Sequence, residues 1–265
     1  MSPPEGAATF RVSADAYDRF VGRYAPALSA ALIGVATIDP EMRVLDVGCG
    51  PGGLTRALAD RVGAENVAAV DPSEPFVEAC RARVPGADVR VGSAEQLPFE
   101  NSTFDAVLSQ LVVNFLDDAE RGIREMRRVS LRGGTVAACV WDYAEGMTML
   151  RAFWDAALEV APEEAASRDE GTTMRYCSPD GLAALWLSAG LMDVEVGELV
   201  VSAEYESFDD LWAPLPSGVG PAGAFCASLD PERQEALRVA CSRRLGDPRG
   251  PFGLEARAWY AVGRA

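Results

Sequence analysis

The stretch that decides the fold is VLDVGCGPGG, residues 44–53. It belongs to an apolar run, residues 42–47, that stops at a glycine cluster, and this pattern predicts a buried strand. Residues 52–62 continue with apolar side chains at helical spacing, so the glycines form a turn between a strand and a helix. Glycine lets the backbone approach a ligand closely, and a helix N-terminus favours negative charge. The glycines also satisfy G-x-G-x-x-G, which is a weak signal alone.

Two carboxylates make this glycine turn more specific. Asp46 lies two residues before the first glycine, at the end of the predicted strand. Asp71 ends a second predicted strand, residues 66–70, where an acidic side chain can accept both hydroxyls of a ribose. A carboxylate at Asp46 would repel a pyrophosphate but suits a cationic group such as an ammonium or a sulfonium. The two carboxylates therefore favour an adenosyl amino acid over a dinucleotide as the ligand.

Short apolar strands alternate with helices over the first 140 residues or so. Further strands are predicted at residues 88–91, 104–109 and 135–141, with helices at 74–84 and about 117–129. This alternation predicts an α/β fold with a parallel sheet and right-handed crossovers. Because the strands are continuously apolar, we expect helices on both faces of the sheet, as in a doubly wound fold.

The second half of the chain continues the alternation of strands and helices, interrupted by insertions. Ser178 is a predicted N-cap followed by proline at the first helical position, and the helix is expected to stop at Gly190. Residues 192–201 alternate apolar and polar side chains, as an outer strand does, and residues 257–262 are its predicted antiparallel partner. Arg257 lies inside this apolar strand, so we expect it to pair with an acidic neighbour.

We predict one domain over residues 1–265 with a helical cap built from an N-terminal helix and two insertions. The predicted parts are lid helices at 1–34, a cofactor-binding core at 35–144, cap insertions at 145–177 and 202–250, and the rest of the core at 178–201 and 251–265. Aromatic residues of the candidate cap that face a cavity would favour an apolar or aromatic ligand. They are Phe153, Trp154, Tyr176, Trp186, Tyr205, Phe208, Trp212 and Phe225.

Composition excludes several classes of protein. The chain has 265 residues, with 40 acidic and 24 basic side chains and a formal net charge of -16, which argues against nucleic acid or anionic membrane as a partner. The absence of histidine excludes an imidazole base, a Ser/His or Cys/His nucleophile pair and a histidine metal site. We therefore expect no metal.

Cysteine usage and the N-terminus indicate a compartment. The six cysteines never fall in a C-x-x-C spacing, so we expect small buried hydrophobic side chains in a reducing cytosol. The N-terminus lacks the basic and apolar regions of a signal peptide, and no apolar run approaches the roughly 18 to 20 residues that span a bilayer. These features predict a cytoplasmic protein.

Five segments together resemble the class I S-adenosylmethionine-dependent methyltransferases, and more narrowly the small-molecule group that includes the ubiquinone/menaquinone-biosynthesis type. They are LDVGCGPGG (45–53), VDPSEPF (70–76), GSAEQLPF (92–99), FDAVLSQLVVNFLDD (104–118) and AYDRFVGRYAPAL (16–28). The resemblance covers nearly the whole chain. It implies a Rossmann-like, doubly wound, seven-stranded and mostly parallel sheet with an antiparallel last strand, and S-adenosyl-L-methionine as the cofactor.

The same resemblance implies which residues bind this cofactor. Asp46, Gly48, Cys49 and Gly50 are implied to surround the methionine moiety, and Gln110 to lie beside the cofactor. Cys49 is expected to be chosen for its small size, without a reactive thiol.

Ribose and adenine contacts come from the next two motifs. The second motif, VDPSEPF, implies that Asp71 binds the ribose and that Pro72 and Phe76 lie near the adenine. Ser93 replaces the usual aspartate of the third motif, so Ser93, Ala94 or Glu95 is expected to contact the adenine amino group.

The N-terminal segment resembles the lid helix of the family. Tyr17, Arg23 and Tyr24 are implied to close over the methionine end of the cofactor. An alternative remains open, because Tyr17, Phe20 and Tyr24 are also spaced as the buried stripe of an amphipathic helix.

Methyl transfer from a sulfonium is an in-line displacement whose donor is already activated, so orientation and exclusion of water matter most. A phenol, amine or thiol nucleophile needs no strong base. If a base is used, Asp142 and Tyr143 are the candidates, with Glu145 behind them. Trp141 and Tyr143 alternatively serve only as walls of the pocket.

The predicted reaction is methyl transfer to oxygen, nitrogen or carbon of a small, apolar or aromatic metabolite, by a monomer or homodimer. Two rival functions are a non-catalytic protein that binds S-adenosylmethionine or S-adenosylhomocysteine, and an NAD(P)-dependent oxidoreductase, against which Asp46 argues. Methylation of nucleic acid or protein is disfavoured by the acidic charge and the lack of basic tracts.

Overall fold

The computed structural model describes residues 19–265. They form two compact units, each assembled from separate stretches of the chain. The sheet unit comprises Ala25–Val140, Arg175–Leu199 and Ala258–Ala265, and the second unit comprises residues 19–24, Trp141–Met174 and Val200–Arg257. Most of the predicted N-terminal lid, with Tyr17, lies outside the described residues.

Seven strands form one sheet. They are β1 (Val44–Val47), β2 (Val67–Asp71), β3 (Asp88–Val91), β4 (Phe104–Gln110), β5 (Ser130–Trp141), β6 (Met192–Tyr205) and β7 (Phe252–Arg264). Their order across the sheet is β3-β2-β1-β4-β5-β7-β6. Strands β1 to β5 pair in parallel. Strand β7 is antiparallel to β5, because Gly133 N donates to Ala265 O over 2.9 Å while Asp142 N donates to Arg257 O over 3.0 Å. The predicted fold class is confirmed.

Helices connect the strands and form most of the second unit. They are α1 (Ala25–Ala36), α2 (Gly53–Val62), α3 (Glu74–Arg83), α4 (Ala119–Val129), α5 (Thr148–Val160), α6 (Pro162–Ala166), α7 (Glu170–Thr173), α8 (Pro179–Ser188), α9 (Phe208–Trp212), α10 (Gly220–Ser228) and α11 (Pro231–Arg244). Short 3₁₀ helices occupy Val21–Tyr24, Ala64–Asn66, Val113–Phe115 and Leu215–Ser217. The predicted cap of α8 is confirmed, since the Ser178 side chain accepts from Gly181 N.

The sheet is buried on both faces, as continuously apolar strands predict. Every residue of β1 and β2 is buried. On one face Leu45 and Val47 join a large core that includes Phe104 and Ile123. On the other face a smaller cluster holds Cys49, Ala69, Val77, Cys80 and Val89. All six cysteines are free thiols, and five of them are buried.

Strand β5 begins earlier than predicted. The expected start was residue 135, after the glycine pair, but the strand already begins at Ser130. Its pairing with β4 shifts register, so that Phe104 faces Ser130 while Ala106 faces Thr135. The glycines therefore form an irregularity inside the strand, where a Cβ on Gly134 would lie 2.8 Å from Asp105 O.

Strands β6 and β7 are both longer than the predicted 192–201 and 257–262. They are neighbours in the sheet, and their distal ends meet where the Tyr205 and Phe252 rings stack with centroids 5.3 Å apart. This mutual pairing extends both strands beyond the stretch that shows clear apolar periodicity.

Two of the aromatic residues assigned to the cap belong to the sheet unit instead. Tyr176 and Trp186 pack on the large core of the sheet. The Trp186 indole Nε1 donates to Val136 O over 3.2 Å. The reason is that α8 covers one face of the sheet with its apolar side.

The second unit has its own aromatic core. Phe153 lies 5.3 Å from Trp154, 6.5 Å from Trp212 and 6.2 Å from Phe225, measured between ring centroids. The Trp154 indole donates to Glu170 Oε2 over 3.0 Å. Trp154 is fully buried among these groups, so its ring packs in the core of this unit.

No helix within residues 19–265 combines the length and the apolar character that crossing a bilayer requires.

Candidate cofactor site

The glycine turn after β1 has a backbone that only glycine adopts easily. Gly48 and Gly50 have φ of 77° and 51°, in the left-handed region. Gly48 N and Cys49 N both donate to Val70 O, over 2.8 and 3.0 Å, and these bonds curl the turn over the end of β2. A Cβ on Gly48 would lie 2.4 Å from a methyl carbon of Val112, whereas a Cβ on Gly50 would meet open space.

Asp71 is held in place by two backbone amides. Its Oδ2 accepts from Gly50 N over 2.9 Å, and its Oδ1 accepts from Ser73 N over 2.8 Å. Burial raises the pKa of this carboxyl, and the two amide bonds oppose that rise. Each carboxylate oxygen can accept a second hydrogen bond, so Asp71 retains capacity for a pair of hydroxyl donors.

Asp46 is a fully buried carboxyl at the centre of β1. Thr55 Oγ1 donates to its Oδ2 over 2.7 Å, while its Oδ1 has no hydrogen-bond partner among the described residues. Burial raises the pKa of Asp46 to about 7; the Thr55 bond opposes this rise and the nearby charge of Asp71 adds to it. A buried carboxylate oxygen without a donor fits a positively charged ligand group.

The loop after β3 holds the three residues considered for adenine. Ser93 Oγ accepts from Glu95 N over 3.1 Å, and Glu95 Oε1 accepts from Asp118 N over 2.8 Å. Ala94 is part of the large core of the sheet. Ser93, Ala94 and Glu95 all stay candidates for the adenine contact, with one Glu95 oxygen already bonded to the backbone of Asp118.

The remaining predicted residues of the sheet unit lie at the ends of β2 and β4. Pro72 is exposed and Phe76 is buried in the first turn of α3. Gln110 is the last residue of β4, and its Oε1 accepts from Ser29 Oγ over 3.0 Å. Residues at the carboxyl ends of parallel strands lie where open α/β sheets bind ligands.

Arg23 and Tyr24 belong to the second unit and already have partners there. Arg23 forms a two-point ion pair with Asp210, with Nη1–Oδ2 at 3.1 Å and Nη2–Oδ1 at 3.2 Å. Its guanidinium also lies 4.2 Å from the centre of the Tyr205 ring. Tyr24 is fully buried, with its hydroxyl 3.1 Å from that of Tyr205. Phe20 is buried too, but Tyr17 lies outside the described residues and Val21–Tyr24 is a 3₁₀ helix, so the stripe on one amphipathic helix stays a prediction.

Asp142 and Tyr143, the candidate bases, follow β5 in the second unit, where both are buried. Asp142 Oδ2 accepts from Arg257 Nε and Nη2 over 2.9 and 2.6 Å. Its Oδ1 accepts from Glu145 N over 3.2 Å. The expected acidic partner of Arg257 is thus confirmed, and it is the residue predicted as a base. Asp142 therefore anchors the turn that follows β5.

Sequence reasoning missed two polar residues of these sites. Thr55 is the donor to Asp46, and Ser29 is the donor to Gln110. Trp141, which the sequence indicated only as a possible wall of the pocket, has a buried indole Nε1 with no hydrogen-bond partner in the described part of the chain. Only Thr55 had a sequence signal, because it follows the glycine turn in the first turn of α2.

Gly48→Ala is expected to destabilise the protein more than Gly50→Ala. Both substitutions place a Cβ at positive φ, which costs roughly 1–2 kcal/mol, but only the first brings it against Val112. We expect about 1–3 kcal/mol of additional loss for Gly48→Ala from this overlap, measured by urea unfolding. Adding Val112→Ala to Gly48→Ala should recover part of that difference. Equal losses for the two single variants would contradict the geometry.

Comparison with known proteins shows what these features are similar to. Residues 45–138 match the sequence profile described as a methyltransferase domain. The chain is 37% identical over 117 residues to 2-methyl-6-phytyl-1,4-hydroquinone methyltransferase 2, chloroplastic, of rice, covering 43% of the chain and 33% of that protein. It is 32% identical over 163 residues to the malonyl-[acyl-carrier protein] O-methyltransferase of Geobacter sulfurreducens, covering 60% and 58%. The chain thus matches only part of the length of these relatives.

A solved structure shares the fold across most of the chain. A putative methyltransferase from Bacillus halodurans superposes with a TM-score of 0.57 and 20% identity, covering 89% of this chain and 97% of the other. At this identity the likeness shows the fold alone. The profile match begins in β1 and ends in β5, and it includes the glycine turn and the loop after β3. Residues 45–138 of the chain are therefore similar to a methyltransferase domain.

Proposed function

We propose that this protein transfers a methyl group from S-adenosylmethionine to a small, apolar or aromatic metabolite. The observation that carries the proposal is the pair of carboxylates at the glycine turn. Asp46 has a buried oxygen that lacks a donor within residues 19–265, and Asp71 is oriented by two amides with acceptor capacity to spare. Asp46 suits a cationic group and Asp71 suits a ribose, and S-adenosylmethionine contains both.

The residues of the sheet unit fit this cofactor. Asp46 would hold the ammonium end, Asp71 the ribose, and the loop at Ser93 the adenine edge, while Gly48 and Gly50 let the backbone approach. When bound, the cofactor supplies a methyl group that is already activated by its attachment to a sulfonium. The chain's own task is therefore to bind, to orient and to exclude water; orientation alone is worth about 7–11 kcal/mol in favourable cases.

The acceptor is proposed to be a small molecule rather than a nucleic acid. The net charge of -16 disfavours polyanionic partners, and the two relatives named above carry a hydroquinone and a malonyl group in their names. The free thiols support a reducing compartment such as the cytoplasm.

Label transfer tests this function directly. Purified protein is incubated with methyl-labelled S-adenosylmethionine and fractionated extract of its own host, and we expect label in an extractable small molecule. Asp71→Ala is the matched control, because losing the ribose contact should abolish labelling at low cofactor concentration. Tight cofactor binding without any labelled product would instead favour a non-catalytic binding protein. Binding of NAD(P)H but not of S-adenosylmethionine would overturn the proposal.

Cofactor affinity is expected to increase as the pH rises through about 7. The pKa of Asp46 is raised to about 7 by burial, and only the ionised carboxylate attracts a cation. Calorimetric titration with S-adenosylmethionine between pH 5.5 and 8.5 measures this, and Asp46→Asn should bind weakly with a flatter profile. A wild-type profile as flat as that of Asp46→Asn would contradict the assignment.

The raised pKa of Asp46 also predicts how the stability of the ligand-free protein varies with pH. Because the folded pKa of Asp46 lies above its unfolded value of 3.8, its stabilising contribution is complete below about pH 4 and is lost as pH rises to about 7. The free energy of unfolding of wild type relative to Asp46→Asn should therefore fall across this window.

Asp142 is proposed to act by holding the turn after β5, with Tyr143 as the neighbouring candidate base. If so, Asp142→Asn and Arg257→Gln should lower kcat/KM by a similar factor, on the order of tenfold, since each breaks the same ion pair. The pH profile of kcat should keep its shape in both variants. A far larger loss in Asp142→Asn alone, with disappearance of the acidic limb, would identify Asp142 as the general base.

A further inference from the structure

Trp141, the last residue of β5, has an indole N–H that the protein itself does not satisfy. Its side chain is 1% exposed, and its Nε1 has no acceptor among residues 19–265. Buried donors without partners are rare in folded proteins and call for an explanation. Two other buried indoles of this chain do have acceptors, Glu170 for Trp154 and Val136 O for Trp186. The orphaned donor is therefore a particular feature of Trp141.

The Trp141 ring contacts an aromatic side chain that is buried and uncharged. Its ring meets Tyr24 edge to face, with centroids 5.6 Å apart. The Tyr24 hydroxyl is 3.1 Å from the Tyr205 hydroxyl, which in turn donates to Met149 Sδ over 3.4 Å. We call Trp141, Tyr24, Tyr205 and Met149 the Trp141 cluster. All four side chains are buried.

The two tyrosines of the Trp141 cluster stay neutral. Burial raises the pKa of both hydroxyls, so neither supplies a negative charge to the cluster. Arg23 lies over the Tyr205 ring and is paired with Asp210. Because no described residue accepts from the Trp141 N–H, its acceptor must come from elsewhere.

The chemistry of the indole limits what this ligand can be. An indole N–H only donates, so its partner must be an atom with a lone pair, which excludes an ammonium group. A carboxylate would leave a full charge among neutral aromatic side chains, which is costly. A carbonyl or phenolic oxygen on an apolar scaffold satisfies both conditions. The position of Trp141 agrees with a ligand contact, because Trp141 is the last residue of β5 and ligands of open α/β sheets bind beyond the carboxyl ends of the strands.

We propose that the Trp141 indole N–H donates a hydrogen bond to an oxygen of the methyl acceptor, and that the acceptor is an apolar molecule carrying a carbonyl or phenolic oxygen. This inference rests on the proposed methyltransferase function and narrows its substrate class. Trp141 is a positioning residue in this proposal, because it orients the acceptor and takes no part in proton transfer.

The first test compares Trp141→Phe with Trp186→Phe in the label-transfer assay. Trp141→Phe removes the N–H and keeps an aromatic ring, so we expect kcat/KM for the labelled acceptor to fall about tenfold, mostly through KM. Cofactor affinity should not fall. Both Trp141→Phe and Trp186→Phe shrink a buried ring and lower the midpoint of urea unfolding, but the drop should be larger for Trp186→Phe, because only that variant loses an internal hydrogen bond, and its kcat/KM should stay within twofold. Unchanged kcat/KM in Trp141→Phe, or a labelled product without such an oxygen, overturns the proposal.

A second test needs no turnover and so remains decisive if labelling fails. The chain has five tryptophans, and their indole ¹⁵N–¹H signals can be followed in protein saturated with S-adenosylhomocysteine. The probes are 1-naphthol and 1-naphthaldehyde, with 1-methylnaphthalene as the oxygen-free match. We expect an oxygenated probe to shift the Trp141 signal selectively, with no such shift from 1-methylnaphthalene. Absence of a selective shift with both oxygenated probes at millimolar concentration, or an equal shift with 1-methylnaphthalene, overturns the proposal.

Discussion

The carboxylate of Asp71 is the constraint on which the cofactor site depends. It joins the glycine turn after β1 to the start of α3, through Gly50 N and Ser73 N. Val70 O, one residue earlier, accepts from Gly48 N and Cys49 N. The end of β2 thus dictates the path of the loop that follows β1. The positive φ angles at Gly48 and Gly50 are the backbone consequence of that path, and glycine supplies them with the least strain.

The burial of Asp46 opposes the stability of the ligand-free protein. A fully buried carboxyl with only one donor, Thr55, destabilises the ligand-free protein whenever it is ionised. Nothing in the packing of β1 requires a carboxyl there, because its neighbours in the sheet are apolar residues such as Ala69 and Leu108. Departures from good local packing of this kind are expected at functional sites.

Trp141, in the second unit, also has a buried polar atom without a hydrogen-bond partner among the described residues. In Trp141 this atom is a donor, whereas in Asp46 it is an acceptor oxygen. Within the same unit Arg23 is paired with Asp210, and Arg257 with Asp142. The partner that we propose for Trp141 is an uncharged oxygen. Fold-level likeness could not supply this distinction, because related folds differ most in the residues that choose the acceptor.

The sequence by itself determined the first strands, the glycine turn between β1 and α2, and the candidate residues for a cofactor. VLDVGCGPGG and Asp71 could be interpreted locally, because the apolar run, the glycines and the carboxylate all lie within one strand–turn–helix unit and its neighbour. Only the tertiary structure decided the pairings between distant segments. Arg257 reaches Asp142 across 115 positions, and Tyr24 reaches Tyr205 across 181. The irregularity in β5 and the missing acceptor of the Trp141 indole also depend on contacts between distant segments. Local periodicity records which side chains are buried, but whether a buried polar atom finds a partner depends on segments that folding alone brings together.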